Sequence, residues 1–336
     1  MKRKSRWIAL ALAAVMVVTI VVLMARELAK KDEEAKDDNT SVVPVSPLTG
    51  VRFEKGPPDN PVFVVKVENT ADGAPQYGLS DAELVVEEMV EGGVTRLAAF
   101  YHSSLPEKVG HVRSLRGTDA SVVASVDGQL VASGGADETI TVLERAGVDY
   151  FSEDDGAPGF SDDDAKERPF NRLVDLSALA EEAGKSDIPG PYFAFSPAGQ
   201  EIAPAAGARP VTEASVTFSP SHTTRLVYAD GRWTRVDDLA AEGEAFAAEN
   251  LVVVYAPVVD AGYTDSEGNP VPETQFVGSG QGVVVIGGQA VEVTWTKDVA
   301  SSTVFFADAD GASVTLPAGK TWVELVPDGT GSAELR

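Results

Sequence analysis

Cysteine is absent from the 336-residue sequence. The chain therefore has no disulfide bond, no thiolate ligand for a metal ion and no cysteine nucleophile. Attachment of a lipid through an N-terminal cysteine is excluded for the same reason. Outside a cell the protein would depend on packing for its stability, and 43% of its residues are hydrophobic, which is enough for a substantial core.

Basic residues are scarce, with 27 Lys and Arg against 52 Asp and Glu. Four of them, Lys2, Arg3, Lys4 and Arg6, lie together at the start of the chain, and the rest of the sequence carries 23 against 52, a net charge of −29. A surface this acidic repels nucleic-acid phosphate. The composition therefore argues against a nucleic-acid-binding protein.

Common catalytic and cofactor motifs are also missing. The sequence has no G-x-S-x-G elbow, no H-E-x-x-H motif and no Walker loop, and its only histidines are His102, His111 and His222. Gly278–Gly282 lies between strand signals with no helix after it, which predicts a tight connection rather than a phosphate cradle. Asp162–Asp164 lacks the ligand spacing of a calcium loop. We expect no metal ion and no cofactor.

One long apolar segment is present. Trp7 to Ala25 contains no charge, and Thr19 is its only polar side chain. A helix needs about 20 residues to cross a bilayer, so this segment predicts a transmembrane anchor with the basic cluster in the cytoplasm and the main body outside. The alternative is a cleaved signal peptide, whose apolar region usually has about 7–15 residues and ends at an A-x-A site.

The first half of the remaining chain alternates strand and helix signals. Residues 1–25 form the predicted tail and anchor, and residues 26–46 have the composition of a flexible tether. Residues 47–190 predict an α/β N-terminal domain. Within it, the apolar run Val62–Val67 is typical of a strand covered on both faces, and Ser114–Ser125 predicts a helix.

The second half consists almost entirely of strand signals. A linker at residues 191–208 leads into residues 209–327, which predict a mostly antiparallel β C-terminal domain. Asp230-Gly231 is a hairpin-turn signal, and a short helix is expected near residues 236–246. Residues 328–336 predict a frayed tail.

Two short segments carry the candidate ligand-binding residues. In the first, Glu91 precedes Gly92 and Gly93, which let a backbone approach a ligand closely, and Arg96 then begins a strand. In the second, Arg113, Ser114 and Arg116 lie at the start of the predicted helix, where a spacing of three places both arginines on one face. Arginines there suit carboxylate or phosphate recognition.

Three interpretations of these arginines remain open. They pair with Glu87, Glu88 and Glu91 as a structural network, they form a pocket for an anion, or they hold a substrate while Glu91 serves as a catalytic acid or base.

The two segments resemble motifs of a known family. Glu91–Arg96 and Gly110–Arg116 are similar to the E-G-G-I-T-R and G-P-V-R-S-A-R signatures of the YerB-like bacterial lipoproteins. Four more segments match that family in order: Pro47–Gly50, Gln76–Glu83, Gly278–Gly282 and Pro317–Trp322. The resemblance covers about residues 47–327 and implies two domains of unknown function displayed outside the membrane, without implying a reaction.

This sequence departs from the family pattern at two points. Family members commonly carry a lipid-modified cysteine, which is replaced here by the apolar segment. They also tend to have P-H-N-L after an arginine, whereas this chain has Pro169-Phe170-Asn171 after Arg168. Because Phe170 stands in place of the histidine, any role of that histidine is lost in this chain. Asn171 remains a candidate polar contact.

The sequence favours a membrane-anchored extracytoplasmic envelope protein that binds an anionic or glycan ligand through the arginine cluster. One alternative is an envelope enzyme that acts on wall polymers or phosphate-bearing lipid carriers. Another is a non-catalytic assembly scaffold with envelope proteins as partners.

Overall fold

β-Strands dominate the computed structural model, which describes residues 44–197, 207–236, 239–265 and 268–336. Residues from Val45 onward belong to one compact unit. The strands of the first half are β1 (Phe63–Glu68), β2 (Leu84–Met89), β3 (Thr95–Tyr101), β4 (Val109–Gly110), β5 (Gln129–Ala132), β6 (Tyr150–Ser152), β7 (Phe160–Asp162) and β8 (Arg172–Val174).

The strands of the second half continue the series in the described ranges. They are β9 (Arg209–Pro210), β10 (Glu213–Ser219), β11 (His222–Ala229), β12 (Arg232–Arg235), β13 (Asn250–Ala256), β14 (Val258–Thr264), β15 (Pro270–Thr274), β16 (Gly278–Ile286), β17 (Gln289–Lys297), β18 (Phe305–Ala307), β19 (Ser313–Val314), β20 (Thr321–Pro327) and β21 (Ser332–Leu335). The described α-helices are α1 (Asp119–Val123), α2 (Asp137–Ala146) and α3 (Leu176–Ala183).

A twelve-stranded mixed sheet joins strands of both halves in the order β19-β18-β17-β16-β13-β20-β2-β3-β1-β5-β6, with β9 beside β17. Strand β20 lies between β13 and β2 and is parallel to both. Strands β1 and β2 both run antiparallel to β3, and β5 is parallel to β1. Consequently β1, β2, β5 and β20 all end at one edge, which we call the carboxyl edge.

Both faces of the central strands are covered, as the apolar run Val62–Val67 predicted. Every residue of β1 is buried. On one face, Val64 packs in a core that includes Val122 of α1 and Leu143 of α2. On the other face, Val65 packs in a second core that includes Leu226 of the four-stranded sheet β12-β11-β10-β21. The predicted hairpin turn at Asp230-Gly231 connects β11 and β12.

The helix expected at Ser114–Ser125 is wrong in its first turn. Helix α1 begins at Asp119, and the segment before it is irregular. The backbone N–H of Arg113 donates to Lys66 O at 2.8 Å, and that of Leu115 donates to Gly134 O at 3.0 Å. These bonds to neighbouring strands and loops replace the helical pattern, so Arg113 and Arg116 do not lie on a helix.

Two predictions in the second half are also corrected. Residues 236 and 239–246, the described part of the expected helix, contain turns and a bridge from Ala240 to Gln76 in place of a helix. The expected frayed tail contains β21, which pairs with β10 in register Ala214 to Leu335. In both places hydrogen bonds to a distant segment determine the backbone.

Gly278–Gly282 is part of a strand rather than the expected tight connection. It opens β16, where Gly280 lies opposite Trp295 of β17. A Cβ added at Gly280 would lie 2.7 Å from both Trp295 Nε1 and Tyr255 O. The glycine at this position is therefore required by the indole ring and a neighbouring strand.

The predicted membrane span at Trp7–Ala25 lies outside the described residues. Within the described part of the chain, none of the helices combines the length and the apolar character needed to cross a bilayer.

Replacing Gly280 with alanine should lower the free energy of unfolding by about 1–3 kcal/mol, because the added methyl group overpacks the site beside Trp295. Gly190→Ala is the matched control, since Gly190 is exposed and no heavy atom lies within 4 Å of the position that its added methyl group would take. Urea denaturation of the full-length chain measures both. Equal stability of the two variants would contradict the packing argument.

Candidate functional site

The carboxyl edge of the sheet brings the three predicted arginines together. Arg96 stands near the start of β3, opposite Glu68 of β1 and Glu88 of β2. Arg113 and Arg116 belong to the irregular segment that crosses this edge before α1. Arg96 lies close enough to both to experience their charges. We call these three side chains the arginine site.

Arg116 is held by Glu91. Its Nε lies 2.6 Å from Glu91 Oε1, and its Nη2 donates to Glu91 Oε2 at 2.7 Å. A third group, Nη1, donates to Leu115 O at 2.6 Å. The guanidinium thus faces both oxygens of the carboxylate, and the hydrogen bond between the two groups runs from Nη2 to Oε2.

Arg113 is held by a different carboxylate. Its Nε lies 2.7 Å from Glu68 Oε2, and its Nη1 donates to Pro169 O at 2.9 Å. The guanidinium also lies over the ring of Phe170, 4.9 Å from the centroid. The loop that carries Phe170 thus contributes an aromatic wall to the arginine site.

Arg96 differs from its two neighbours because no carboxylate of the described residues lies within ion-pair distance of its guanidinium. It is only 5% exposed. Its one hydrogen bond runs from Nη1 to Ser114 O at 3.3 Å, and its Nε is buried without an acceptor. Burial lowers the pKa of Arg96 to about 10, and the charges of Arg116 and Arg113 contribute to the shift.

A buried ion cluster lies on the same face, one layer further into the protein. Lys66 Nζ is paired with Glu88 and lies 2.5 Å from Asp119 Oδ1. Burial opposes protonation of Lys66, but the two carboxylates outweigh it and raise its pKa. Burial, together with Asp119, raises the pKa of Glu88 despite the opposing effect of Lys66. No member of this cluster lies within ion-pair distance of Arg96, although the charge of Arg96 acts on Glu88 at longer range.

The other predicted site residues lie around the arginine site in different roles. Gly92 and Gly93 both have positive φ, at 70° and 72°. Gly93 O accepts a hydrogen bond from Ser219 Oγ at 2.6 Å. Ser114 donates its hydroxyl to Ser133 O at 3.0 Å. Asn171 donates to Asp162 Oδ1 at 2.7 Å.

The opposite face of the sheet carries a second polar cluster at the same edge. Glu87 Oε1 accepts hydrogen bonds from Thr95 and Thr224, both at 2.7 Å, and from Asn69 at 3.1 Å. His222 Nε2 lies 3.0 Å from the same oxygen. These contacts bind the four-stranded sheet to the main sheet.

Glu324 lies beside Glu87 in this second cluster, because β2 and β20 pair with the two residues opposite each other. Glu324 is fully buried, and neither of its oxygens makes a well-formed hydrogen bond to a described residue. Burial, with the neighbouring Glu87 carboxylate, raises the pKa of Glu324 well above its usual value. Burial alone would raise the pKa of Glu87, but His222 and Arg235 outweigh it and lower that pKa.

Comparison with known proteins places the chain in a family. The model described as "Protein of unknown function (DUF3048) N-terminal domain" matches residues 48–189. The model of the corresponding C-terminal domain matches residues 214–323. The chain belongs to the DUF3048 family.

Relatives of this family agree with the predicted resemblance to YerB-like proteins, which is confirmed. The YerB protein of Bacillus subtilis (strain 168), named as a candidate lipoprotein, is 27% identical over 298 residues, covering 84% of this chain and 86% of YerB. A crystal structure of Bacillus subtilis YerB superposes with a TM-score of 0.72 at 24% identity, covering 87% of this chain and 99% of that chain. The similarity to this crystal structure shows that the two proteins share a fold.

Three motif segments shared with the DUF3048 family meet at the other end of β2 and β20. Gly319 N donates to Thr49 O at 2.8 Å, and Lys320 Nζ donates to Ser80 O at 2.6 Å. Residues of all three segments line a groove with a volume of about 840 Å³. A Cβ at Gly50 would lie 2.7 Å from the Phe195 ring. Packing thus explains much of these motifs, which lie away from the arginine site.

Sequence reasoning missed Glu68, Lys66 and Glu324 as charged members of the two clusters. A signal was present in each strand, because a charged residue interrupts an otherwise continuous apolar run. Glu87-Glu88 carries the same signal twice. Two consecutive residues of a strand point to opposite faces, so each glutamate requires partners on its own side.

Tyr263 was also missed. It lies on the β14–β15 hairpin, and its hydroxyl is 2.5 Å from Thr139 Oγ1 of α2. Burial raises its pKa, and both Arg116 and Glu91 are near enough to act on it. No motif indicates that this hairpin reaches the arginine site.

In the ranges that the structure describes, no group of three or more His, Asp or Glu side chains is arranged to hold a metal ion. The expectation that the protein uses no metal and no cofactor stays a prediction.

Replacing Glu324 with glutamine should flatten the dependence of stability on pH. A glutamate in the unfolded chain ionises near pH 4.5, whereas the folded-state pKa of Glu324 is well above that value. Its contribution to stability is complete below the unfolded pKa and is lost as the pH rises through the folded-state pKa. Glutamine mimics the protonated acid and avoids this loss.

At pH 8 we expect Glu324→Gln to exceed the wild type in free energy of unfolding by at least about 1.4 kcal/mol, the equivalent of one pKa unit. Urea denaturation of the full-length chain between pH 5 and 8 measures the difference. Glu292→Gln, at an exposed position on β17, is the control and should leave the profile unchanged. A variant less stable than the wild type at pH 8 would show that Glu324 is ionised in the fold.

Proposed function

We propose that this chain is a membrane-tethered extracytoplasmic protein of the cell envelope whose arginine site binds an anionic ligand. The observation that carries the proposal is Arg96, a buried guanidinium with no carboxylate partner among the described residues. Transfer of an ion from water into a protein interior costs several kcal/mol unless a counter-charge compensates it. A bound anion would supply that counter-charge.

The position of the site supports binding of a ligand. In open sheets with parallel strands, ligands bind beyond the carboxyl ends of the strands. The arginine site lies at that edge, where β1, β2 and β5 end. Phosphate, carboxylate and acidic glycans share the planar or tetrahedral oxygen groups that guanidinium forks recognise.

The contacts of Glu91 favour a binding role for the site over a catalytic one. Both oxygens of this carboxylate contact Arg116, so Glu91 is engaged as an ion-pair partner rather than directed at a substrate. The catalytic interpretation of Glu91 therefore ranks second.

The relative and the sequence together support the proposed location. YerB is named as a candidate lipoprotein, which would attach it to a membrane. This chain has no cysteine, and Trp7–Ala25 would serve the same purpose as a membrane-spanning segment. Residues 26–46 would then hold the folded part away from the bilayer.

Replacing Arg96 with methionine should weaken anion binding at least tenfold, equivalent to about 1.4 kcal/mol, because the unpaired guanidinium is lost. Binding of inorganic phosphate, pyrophosphate, succinate and phosphate-containing wall polymers to the full-length chain in mild detergent is measured by calorimetry and by thermal shift. Loss of a buried charge should not lower the melting temperature of the free protein.

Arg225→Met is the matched control, since Arg225 is an exposed arginine of β11. It should bind each anion as the wild type does. The proposed site would be refuted if Arg96→Met bound the anions as tightly as the wild type. It would also be refuted if Arg96→Met and Arg225→Met lost the same amount of affinity.

Introducing two aspartates at Val17 and Val18 should release the protein from membranes, because each charge at the centre of a spanning helix costs about 2.5–3.5 kcal/mol. Membrane pellets washed with alkaline carbonate measure the retained fraction. The wild type should stay in the pellet with its N-terminal residues present by mass spectrometry. A mature wild-type protein lacking residues 1–25 would instead identify a cleaved signal peptide.

A further inference from the structure

Glu91 occupies the position that an external anion would take on Arg116. It presents two oxygens to the guanidinium at 2.6 and 2.7 Å, on the side where a bound carboxylate or phosphate would be recognised. The arginine site is therefore filled by a carboxylate of the protein itself.

The turn that carries Glu91 has a hinge on one side. Gly92 has φ of 70°, and no heavy atom lies within 4 Å of the position of an added Cβ. Gly93 is held more firmly, since its carbonyl accepts from Ser219 Oγ at 2.6 Å, whereas the carbonyl of Gly92 accepts a longer hydrogen bond from Ser221 Oγ at 3.4 Å. Rotation at Gly92 would thus move Glu91 while the following strand stays in place.

Glu68, the partner of Arg113, lacks this freedom. Its Oε1 accepts the backbone N–H of Asn69 at 3.0 Å. Its side chain packs directly against Gly73, where an added Cβ would overlap Glu68 Cγ. Of the two carboxylates that hold the arginine site, only Glu91 is placed to leave.

Charge indicates which ligand would displace it. Exchange of Glu91 for another single carboxylate would leave the balance of charge around Arg96 as it is. A phosphate monoester carries about −1.5 to −2 charges at pH 7 and has three acceptor oxygens. It would replace Glu91 on Arg116 and add charge for Arg96.

We propose that Glu91 is an internal anion that closes the arginine site, and that a phosphoryl group of the ligand displaces it by rotation at Gly92. The inference rests on the proposed function and specifies both the ligand class and the way in which the site opens. Because the protein carboxylate competes with the ligand, the measured affinity is reduced by the fraction of molecules in which the site is closed.

The test compares Glu91→Gln with Glu334→Gln, an exposed glutamate paired with Arg336 away from the arginine site, in calorimetric titrations of the full-length chain with pyrophosphate and succinate. Glu91→Gln should bind pyrophosphate about tenfold more tightly than the wild type, whereas Glu334→Gln should stay within twofold. The wild type should bind pyrophosphate more tightly than succinate. The two variants remove the same charge, so an effect of charge alone would change both equally.

If Glu91→Gln does not fold, Glu91→Asp replaces it in the test. This variant keeps the charge but shortens the side chain, so it should also bind pyrophosphate more tightly than the wild type. Wild-type binding with no gain in either Glu91 variant, or with an equal gain in Glu334→Gln, overturns the closing role and leaves the proposed function standing. Absence of pyrophosphate and succinate binding in the wild type and all variants overturns both.

Discussion

The central constraint of this fold is the pair Glu87-Glu88, two adjacent carboxylates on a strand covered on both faces. Alternation along β2 directs them to opposite sides of the sheet, and an ionised or unpaired carboxylate is costly in either interior. Each side therefore requires its own set of partners. Glu88 is paired with Lys66, and Glu87 collects hydroxyl, amide and imidazole groups from three segments.

These two solutions connect distant parts of the chain. On one face, Lys66 pairs with both Glu88 and Asp119, and no carboxylate of the described residues lies within ion-pair distance of the neighbouring Arg96. On the other face, Glu87 binds the four-stranded sheet through Thr224 and His222. The insertion of β20 between β13 and β2 then makes Glu324 the neighbour of Glu87. The candidate binding residues and the contacts that join the two halves thus lie at the same few strand ends.

Local patterns predicted the long strands well. The apolar run Val62–Val67 agrees with β1 to within one residue at each end, and Asp230-Gly231 forms the predicted turn between β11 and β12. These elements are determined by apolar periodicity and by glycine at their ends, which act over a few residues. The helix expected from Ser114 failed because the N–H groups of Arg113 and Leu115 have acceptors on β1 and in the loop after β5. Hydrogen bonds between segments far apart in sequence leave no local pattern.

For the candidate site, the sequence alone identified the three arginines, Glu91 and the two glycines, because guanidinium groups are conspicuous in an acidic chain. It also established the family and excluded cysteine chemistry. Only the tertiary structure decided which carboxylate holds which arginine, since Glu68 is 45 residues from Arg113 in the sequence and reaches it through the end of β1. The unpaired state of Arg96 is likewise a property of the packed fold, because burial and the distances between charges exist only after distant strands have come together.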